Sequence, residues 1–254
     1  MHNHAGSLAS PHGARPSLTR LLRRWLTLLA ALLLVAPGSA TGVEIVRYPI
    51  PESAADQRYD YPRKLLELAL SKTRTEYRVT YPAASMSQNR QIVELEAGRM
   101  IDVAPLPSSA DREARLLPIR IPLNKGLLGW RLGLVRKGDT SRVSQVKTLA
   151  ALKGVRLAQG QDWPDTEILS GNGLEVIRGS NYEGLFKMLE SQRFDYFPRS
   201  VMEIWDEQEA HASTLDIEPH LALHYFYDSY FFVNKRNTKL AADISEGMEK
   251  AIAD

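Results

Sequence analysis

Residues 153–205, KGVRLAQGQDWPDTEILSGNGLEVIRGSNYEGLFKMLESQRFDYFPRSVMEIW, limit the possible folds more than any other stretch, because strand-like and helix-like periods alternate along them. Val155–Gln159 is a short apolar-leaning run and reads as a strand. Pro164 suits the first turn of a helix, where its missing N–H would have had no partner. Asp165 and Glu167 place carboxylates near the positive end of that helix, and Gly171-Asn172-Gly173 tolerates the left-handed stop that ends it. Leu174–Ile177 is the next strand. Ser180-Asn181-Tyr182-Glu183 fits a capping box, with Tyr182, Leu185, Phe186 and Leu189 along one helix face. Phe194–Phe197 reads as a third strand, with Pro198-Arg199 at its C-terminal end. This alternation predicts right-handed crossovers and a parallel sheet. Ligands gather at the carboxyl ends of such strands, beside helix N-termini. Those ends carry Gln161, Asp162, Trp163, Gly179, Ser180, Asn181 and Arg199, which form the expected binding surface.

The same order occurs upstream. Val43–Tyr48 is a strand, Pro49–Tyr61 a polar connection over a cleft, and Pro62 opens a helix to about Lys72. Tyr77, Val79 and Tyr81 alternate as a strand; Gln88–Ala97 is a helix closed by Gly98; Met100–Ala104 is the third strand. LEAGRMIDVAPLP (95–107) and LESQRFDYFPR (189–199) both run from a helix end through Arg to Asp, an apolar strand and Pro. The echo favours two similar α/β lobes over one continuous sheet. Pro118–Leu128 and the aromatic run His224–Asn234 read as extended crossings, Trp130–Arg136 as a strand opening the second lobe, and Lys147–Lys153 as a short helix. Thr238–Asp254 reads as a helix without a Gly, Asn or Pro terminator, which implies either an abrupt C-terminus or a chain continuing past Asp254. The expected division is a leader at 1–40, the first part of lobe 1 at 41–122, lobe 2 at 123–224, and a return to lobe 1 at 225–254.

The leader has three parts. Arg15, Arg20, Arg23 and Arg24 make a basic region, Trp25–Ala36 is an uncharged apolar run, and Pro37-Gly38-Ser39-Ala40 ends in small residues. That is the pattern of a cleaved secretory signal peptide. A run of twelve covers roughly 18 Å as a helix, short of a hydrocarbon core of about 30 Å, which argues against an anchor. The whole chain is net +2; without the leader's four Arg it has 28 Lys+Arg against 30 Asp+Glu, net −2. The basic balance therefore lies in the leader and gives no support to nucleic-acid binding. There is no cysteine, so disulfides, thiolate metal sites and a thiol nucleophile are excluded together.

GRMIDVA, LGLVRKGD, LKGVRLAQGQDWPDTEIL, GSNYEGLFKML and FFVNKRN, with the leader and the echoing halves, resemble the periplasmic solute-binding proteins of family 3, the polar-amino-acid type. The resemblance spans roughly residues 43–254. It implies the type II periplasmic binding protein fold: two Rossmann-like lobes, two extended crossings, and ligand gripped between the lobes. It implies an Arg for an α-carboxylate shortly after the first lobe's third strand, where SSADREAR offers Arg112, with Arg115 the alternative. It also implies an Asp for an α-ammonium where this chain has Pro198-Arg199-Ser200. A cation in that place favours an anionic or polyhydroxy ligand, since guanidinium pairs bidentately with carboxylate or phosphate.

The candidate ligand contacts are Arg199, Trp163, Gln161, Arg112, Asn181, Ser180, Trp130, Arg131, Tyr81 and Ser85. Each has a plainer alternative: an ion pair for Arg199, core or lid packing for Trp163, helix caps for Ser180 and Asn181, hinge packing for Trp130-Arg131. His220 and His224 are four apart, but Pro219 interrupts any helix and no acid completes a metal set. Nucleophile-elbow, zinc-protease, phosphate-loop and dinucleotide motifs are absent, so no cofactor is expected. The acid-rich segment Glu203–Glu209 reads as a solvated helix face. The expected protein is an exported, monomeric, non-catalytic binder of a small solute, working in the periplasm with a membrane permease or a sensor. The alternatives are a small dehydratase-like enzyme using Asp162 or Asp165, and a sensory or scaffold domain without a ligand.

Overall fold

The computed structural model describes Met1 and residues 42–254. The expected signal peptide lies outside the described residues. Val43–Asp254 forms one compact unit.

Its first half opens with β1 (Glu44–Arg47), α1 (Asp60–Ser71), β2 (Tyr77–Thr80), α2 (Gln88–Ala97), β3 (Val103–Pro107), α3 (Ala110–Arg115) and β4 (Leu117–Ile119). β1 and β2 pair in parallel, with Val46 beside Val79. Helix α2 ends as its sequence suggests, on Gly98 at φ 67°, a conformation that glycine adopts without a Cβ penalty. The second half continues with β5 (Trp130–Arg136), α4 (Thr140–Val143), α5 (Leu149–Leu152), β6 (Leu157–Gly160), α6 (Pro164–Gly171), β7 (Val176–Gly179), α7 (Tyr182–Glu190), β8 (Phe197–Ser200), α8 (Ile204–Ala210) and β9 (Leu215–His224). The chain then enters β10 (Ser229–Val233) and closes with α9 (Thr238–Ala253).

β10 lies between β3 and β4, antiparallel to both, so the end of the chain completes the sheet begun before residue 120. β5 lies between β8 and β9 in the same way. The cores are separate too. Two apolar clusters draw on residues up to Leu123 and from Tyr230 onward. Two others draw only on the intervening chain, from Leu132 to Tyr225. The connections run side by side, with Leu123 N–H donating to the Ser229 carbonyl at 2.9 Å and Tyr225 N–H to the Gly129 carbonyl at 3.2 Å. A Cβ on Gly129 would sit 2.1 Å from the Tyr225 carbonyl oxygen, so only glycine allows this approach.

Several expectations are corrected. The central unit is not one parallel sheet: β6 and β7 pair in parallel, but β8 is antiparallel to β5, and the backbone link to β6 is a parallel Leu157–Tyr196 bridge just before β8. Pro198 has no N–H to extend that ladder, and the Gln159 side-chain amide takes its carbonyl instead, at 2.9 Å. β8 also starts at Phe197, three residues later than expected, which puts Pro198 and Arg199 inside the strand. The aromatic run at 224–234 is mostly not a crossing. His224 ends β9, Ser229–Val233 is the buried central strand of the first lobe's sheet, and only 225–228 connects them. The first turn of α7 is capped by Asn181, not Ser180, and its Oδ1 accepts from Gly184 N–H at 2.7 Å; no reciprocal box forms, because the third helical residue is then Gly184, and Glu183 instead accepts from Ser53.

Candidate functional site

A cavity of about 110 Å³ opens where the two sets of sheets face each other. Arg58, Tyr59, Gln88, Pro107, Tyr227 and Ser229 line it from the first lobe; Arg131, Trp163, Asp165, Arg199, Met202 and Glu203 line it from the second. β3 ends in Pro107 at the cavity, and the β6–α6 junction delivers Trp163 and Asp165. β5 delivers Arg131 and β8 delivers Arg199.

Four arginines surround this space. Arg199 donates from Nε to Glu207 at 2.7 Å and from Nη2 at 2.6 Å, and meets Glu203 at 2.9 Å. Arg131 pairs with Asp165 at 3.1 Å and faces Glu203 at 3.6 Å, while its buried Nε has no acceptor among the described residues. Arg58 is held by Asp56 at 2.7 Å and by Glu52 at 3.3 Å. Arg112 differs from all three. Its guanidinium donates to the Pro107 carbonyl (2.8 Å), to Gln88 Oε1 (2.8 Å) and, across the cleft, to the Asp162 carbonyl (2.9 Å). No carboxylate pairs with it among the described residues.

Burial drives the Arg112 pKa down, and the weaker upward pulls of Tyr227, Asp165, Tyr59 and Asp111 do not reverse it. The Arg131 and Arg199 guanidiniums are desolvated as deeply, but the facing acids more than reverse that and hold both pKa values above the ordinary arginine range. Burial also raises Asp165, against the pull of Arg131 and the hydrogen bond from Tyr225. For Glu203 burial works upward, and Arg199, Arg131 and Arg58 together overcome it, leaving the carboxyl below its usual value.

The sequence-derived candidates divide into three groups. Arg199, Trp163 and Arg131 line the cavity, and Arg112 sits directly behind Pro107 and Gln88. Gln161, Ser180 and Asn181 meet in a smaller recess of about 10 Å³ with Glu52 and Gln88. Tyr81, Ser85 and Trp130 are exposed and line neither space. Tyr81 lies just past β2, which stops at Thr80, and the Trp130 ring packs against His224, centroids 4.2 Å apart. The acidic segment is corrected as well: Glu203 and Glu207 face Arg199 in the interior and do not form a solvated face. Arg58, Asp165 and Tyr227 complete the wall. Arg58 lies in a polar loop whose sequence carries no periodic signal; Asp165 was legible as a helix N-terminal acid, and Tyr227 only as part of an aromatic run. Among the described residues no group of His, Cys, Asp or Glu could hold a metal ion.

The halves are joined across the cleft by more than Arg112. Tyr182 N–H donates to Glu52 at 3.3 Å and Ser53 to Glu183. The arrangement is therefore that of a two-lobed α/β protein with a cavity between the lobes and hydrogen bonds across the cleft beside it.

No family model matches the chain, and no curated protein does. Solved structures do. A periplasmic binding protein of Salmonella typhimurium, described for its high arginine specificity, is 15% identical, with a TM-score of 0.60 over 84% of this chain and 95% of that one. The GluR0 ligand-binding core of Nostoc punctiforme with L-glutamate is 15% identical, TM-score 0.54, over 84% and 93%. A histidine kinase sensor domain with similarity to periplasmic binding proteins is 16% identical, TM-score 0.61, over 83% and 90%. The fold of residues 43–254 is thus the type II periplasmic binding protein fold.

Proposed function

We propose that this chain is an exported, non-catalytic binding protein that closes its two lobes on a small acceptor-bearing solute, a carboxylate first, and presents the closed form to a membrane permease or sensor. The observation that carries this reading is Arg131. It is fully buried, lines the interlobe cavity, and keeps one guanidinium N–H without an acceptor among the described residues. A buried donor left unpaired costs about 1–3 kcal/mol, which a ligand oxygen would recover. Tyr227 and Ser229 add hydroxyls on the opposite wall. Arg199 is a poor anchor for an anion, since Glu207 takes its N–H groups bidentately and Glu203 a further one; Arg131 is paired with Asp165 and Glu203 as well but still offers its unpaired Nε, and Arg112, behind the wall, has no carboxylate partner among the described residues.

Relatives of the same fold are described with arginine or glutamate, which supports a solute of amino-acid size. Closure acts as a signal because ligand binds the closed state better than the open one. The periplasm is the proposed compartment, on the strength of the leader pattern. A thermal-shift screen of amino acids, dicarboxylates and sugar acids tests the reading. A true ligand raises the melting temperature with the logarithm of its excess over Kd and is recovered unchanged. No shift with any solute would sink the binding role, and consumption of the hit would turn the protein into an enzyme.

A further inference from the structure

The cavity's aromatic rings already have cations beside them. The Arg58 guanidinium carbon lies 5.8 Å from the Tyr59 ring centre and 5.3 Å from that of Trp163. Arg199 lies 4.9 Å from Trp163, and Arg131 lies 4.7 Å from Tyr227. Of the four rings that line the cavity only Tyr61 has no guanidinium near it among the described residues. Just behind Trp163, Arg58 also covers Tyr182 at 4.1 Å. A cation gains from an aromatic face only where it can reach that face. An incoming ammonium or guanidinium would find the faces taken and like charges around it.

Arg58 differs from the other two in what holds it. Arg131 and Arg199 belong to one network with Asp165, Glu203 and Glu207 inside the second lobe. The ion pairs of Arg58 are confined to its own loop, Asp56 (Nε to Oδ1 2.7 Å, Nη2 to Oδ2 2.9 Å) and Glu52. That loop carries the cation from the first lobe onto Tyr182 and Trp163 of the second. Without the Arg58 side chain, the same two carboxylates and two rings would remain as an empty guanidinium cradle.

We propose that Arg58 is a specificity-determining residue: a built-in guanidinium on the first lobe's loop that fills a cradle able to take a cationic side chain and so excludes cationic solutes. This rests on the interlobe ligand site proposed above and adds what that site rejects.

The test uses L-arginine and L-citrulline, which match in length and shape and differ in carrying a charged guanidinium or a neutral urea. Calorimetric titration of the full chain should show L-arginine bound more weakly than L-citrulline, or not at all, by the wild type. In Arg58→Ala, L-arginine should gain at least about tenfold over L-citrulline, the order expected for a desolvated cation on a ring. Arg58→Gln, which keeps a hydrogen-bond donor toward Asp56, serves if the alanine variant does not fold, with the same gain expected. Wild-type protein that takes L-arginine as well as L-citrulline overturns the proposal, and so does a folded variant whose preference is unchanged. Either result leaves the binding role standing if the wild type still answers to another solute in the screen; silence to every solute removes that role separately.

Discussion

Arg112 of the first lobe and Arg199 of the second are almost equally buried, at 3% and 1% exposure; Arg199 lines the cavity and Arg112 lies behind its wall, bonded to Pro107 and Gln88. Their surroundings are opposite. Arg199 is gripped by two carboxylates, one of them bidentate, so its charge is neutralised within its own lobe. Arg112 is surrounded by carbonyl and amide oxygens, one of them from the other lobe. Neutral acceptors solvate a cation without cancelling its charge, so Arg112 remains electrostatically open to an anion. The comparison teaches that burial and position at a strand end do not mark a ligand anchor. What marks one is the charge of the neighbours.

The largest expected effect that would break this comparison is on stability at Arg199. Arg199→Ala leaves Glu207 buried without a counter-charge, and should cost about 3–5 kcal/mol by urea unfolding. A loss under about 1 kcal/mol would mean that the network holds little. Arg112→Met should behave differently. It strands no carboxylate, so its stability cost should be about 1–2 kcal/mol, while affinity for an anionic solute should fall about tenfold to a hundredfold. Equal stability losses for the two variants would erase the distinction.

The smallest effect sharpens it through pH. Asp165 is raised from its ordinary 3.8, so its contribution to stability is complete below that value and is lost as pH rises through the folded pKa. Glu203 is lowered from 4.5, so its contribution is present above that value and is lost as pH falls through the folded pKa. Asp165→Asn should therefore flatten the decline on the alkaline side of 3.8, and Glu203→Gln the decline on the acid side of 4.5. Urea midpoints measured across that range check both, and the same limb flattened by both variants would contradict the assignment.

Much of the architecture was legible. Trp130–Arg136 was bounded to the residue, Gln88–Ala97 was marked by its terminal glycine, and the alternation of strands and helices foretold two α/β halves. Strand ends were less legible, because Pro198 can sit within an antiparallel strand as readily as after a parallel one. The site was half legible. Trp163, Arg131, Arg199 and Arg112 were named, but the ion-pair partners of Arg199 were not, since Glu203 and Glu207 read as surface acids. An i, i+4 pair of glutamates has the same spacing whether its helix face meets water or a buried arginine.

Local order in this protein, its helix starts and stops and its strand periods, was determined by the sequence alone, because those preferences act between residues a few positions apart. The tertiary structure alone decided which charges cancel. Arg58 meets Tyr182, Arg112 meets the Asp162 carbonyl, and Arg131 keeps one bond unmade, each through contacts more than thirty residues apart in the chain or through the lack of one. Electrostatic energy inside a protein depends on distance in space and on exclusion of water, and neither can be read from spacing along the chain.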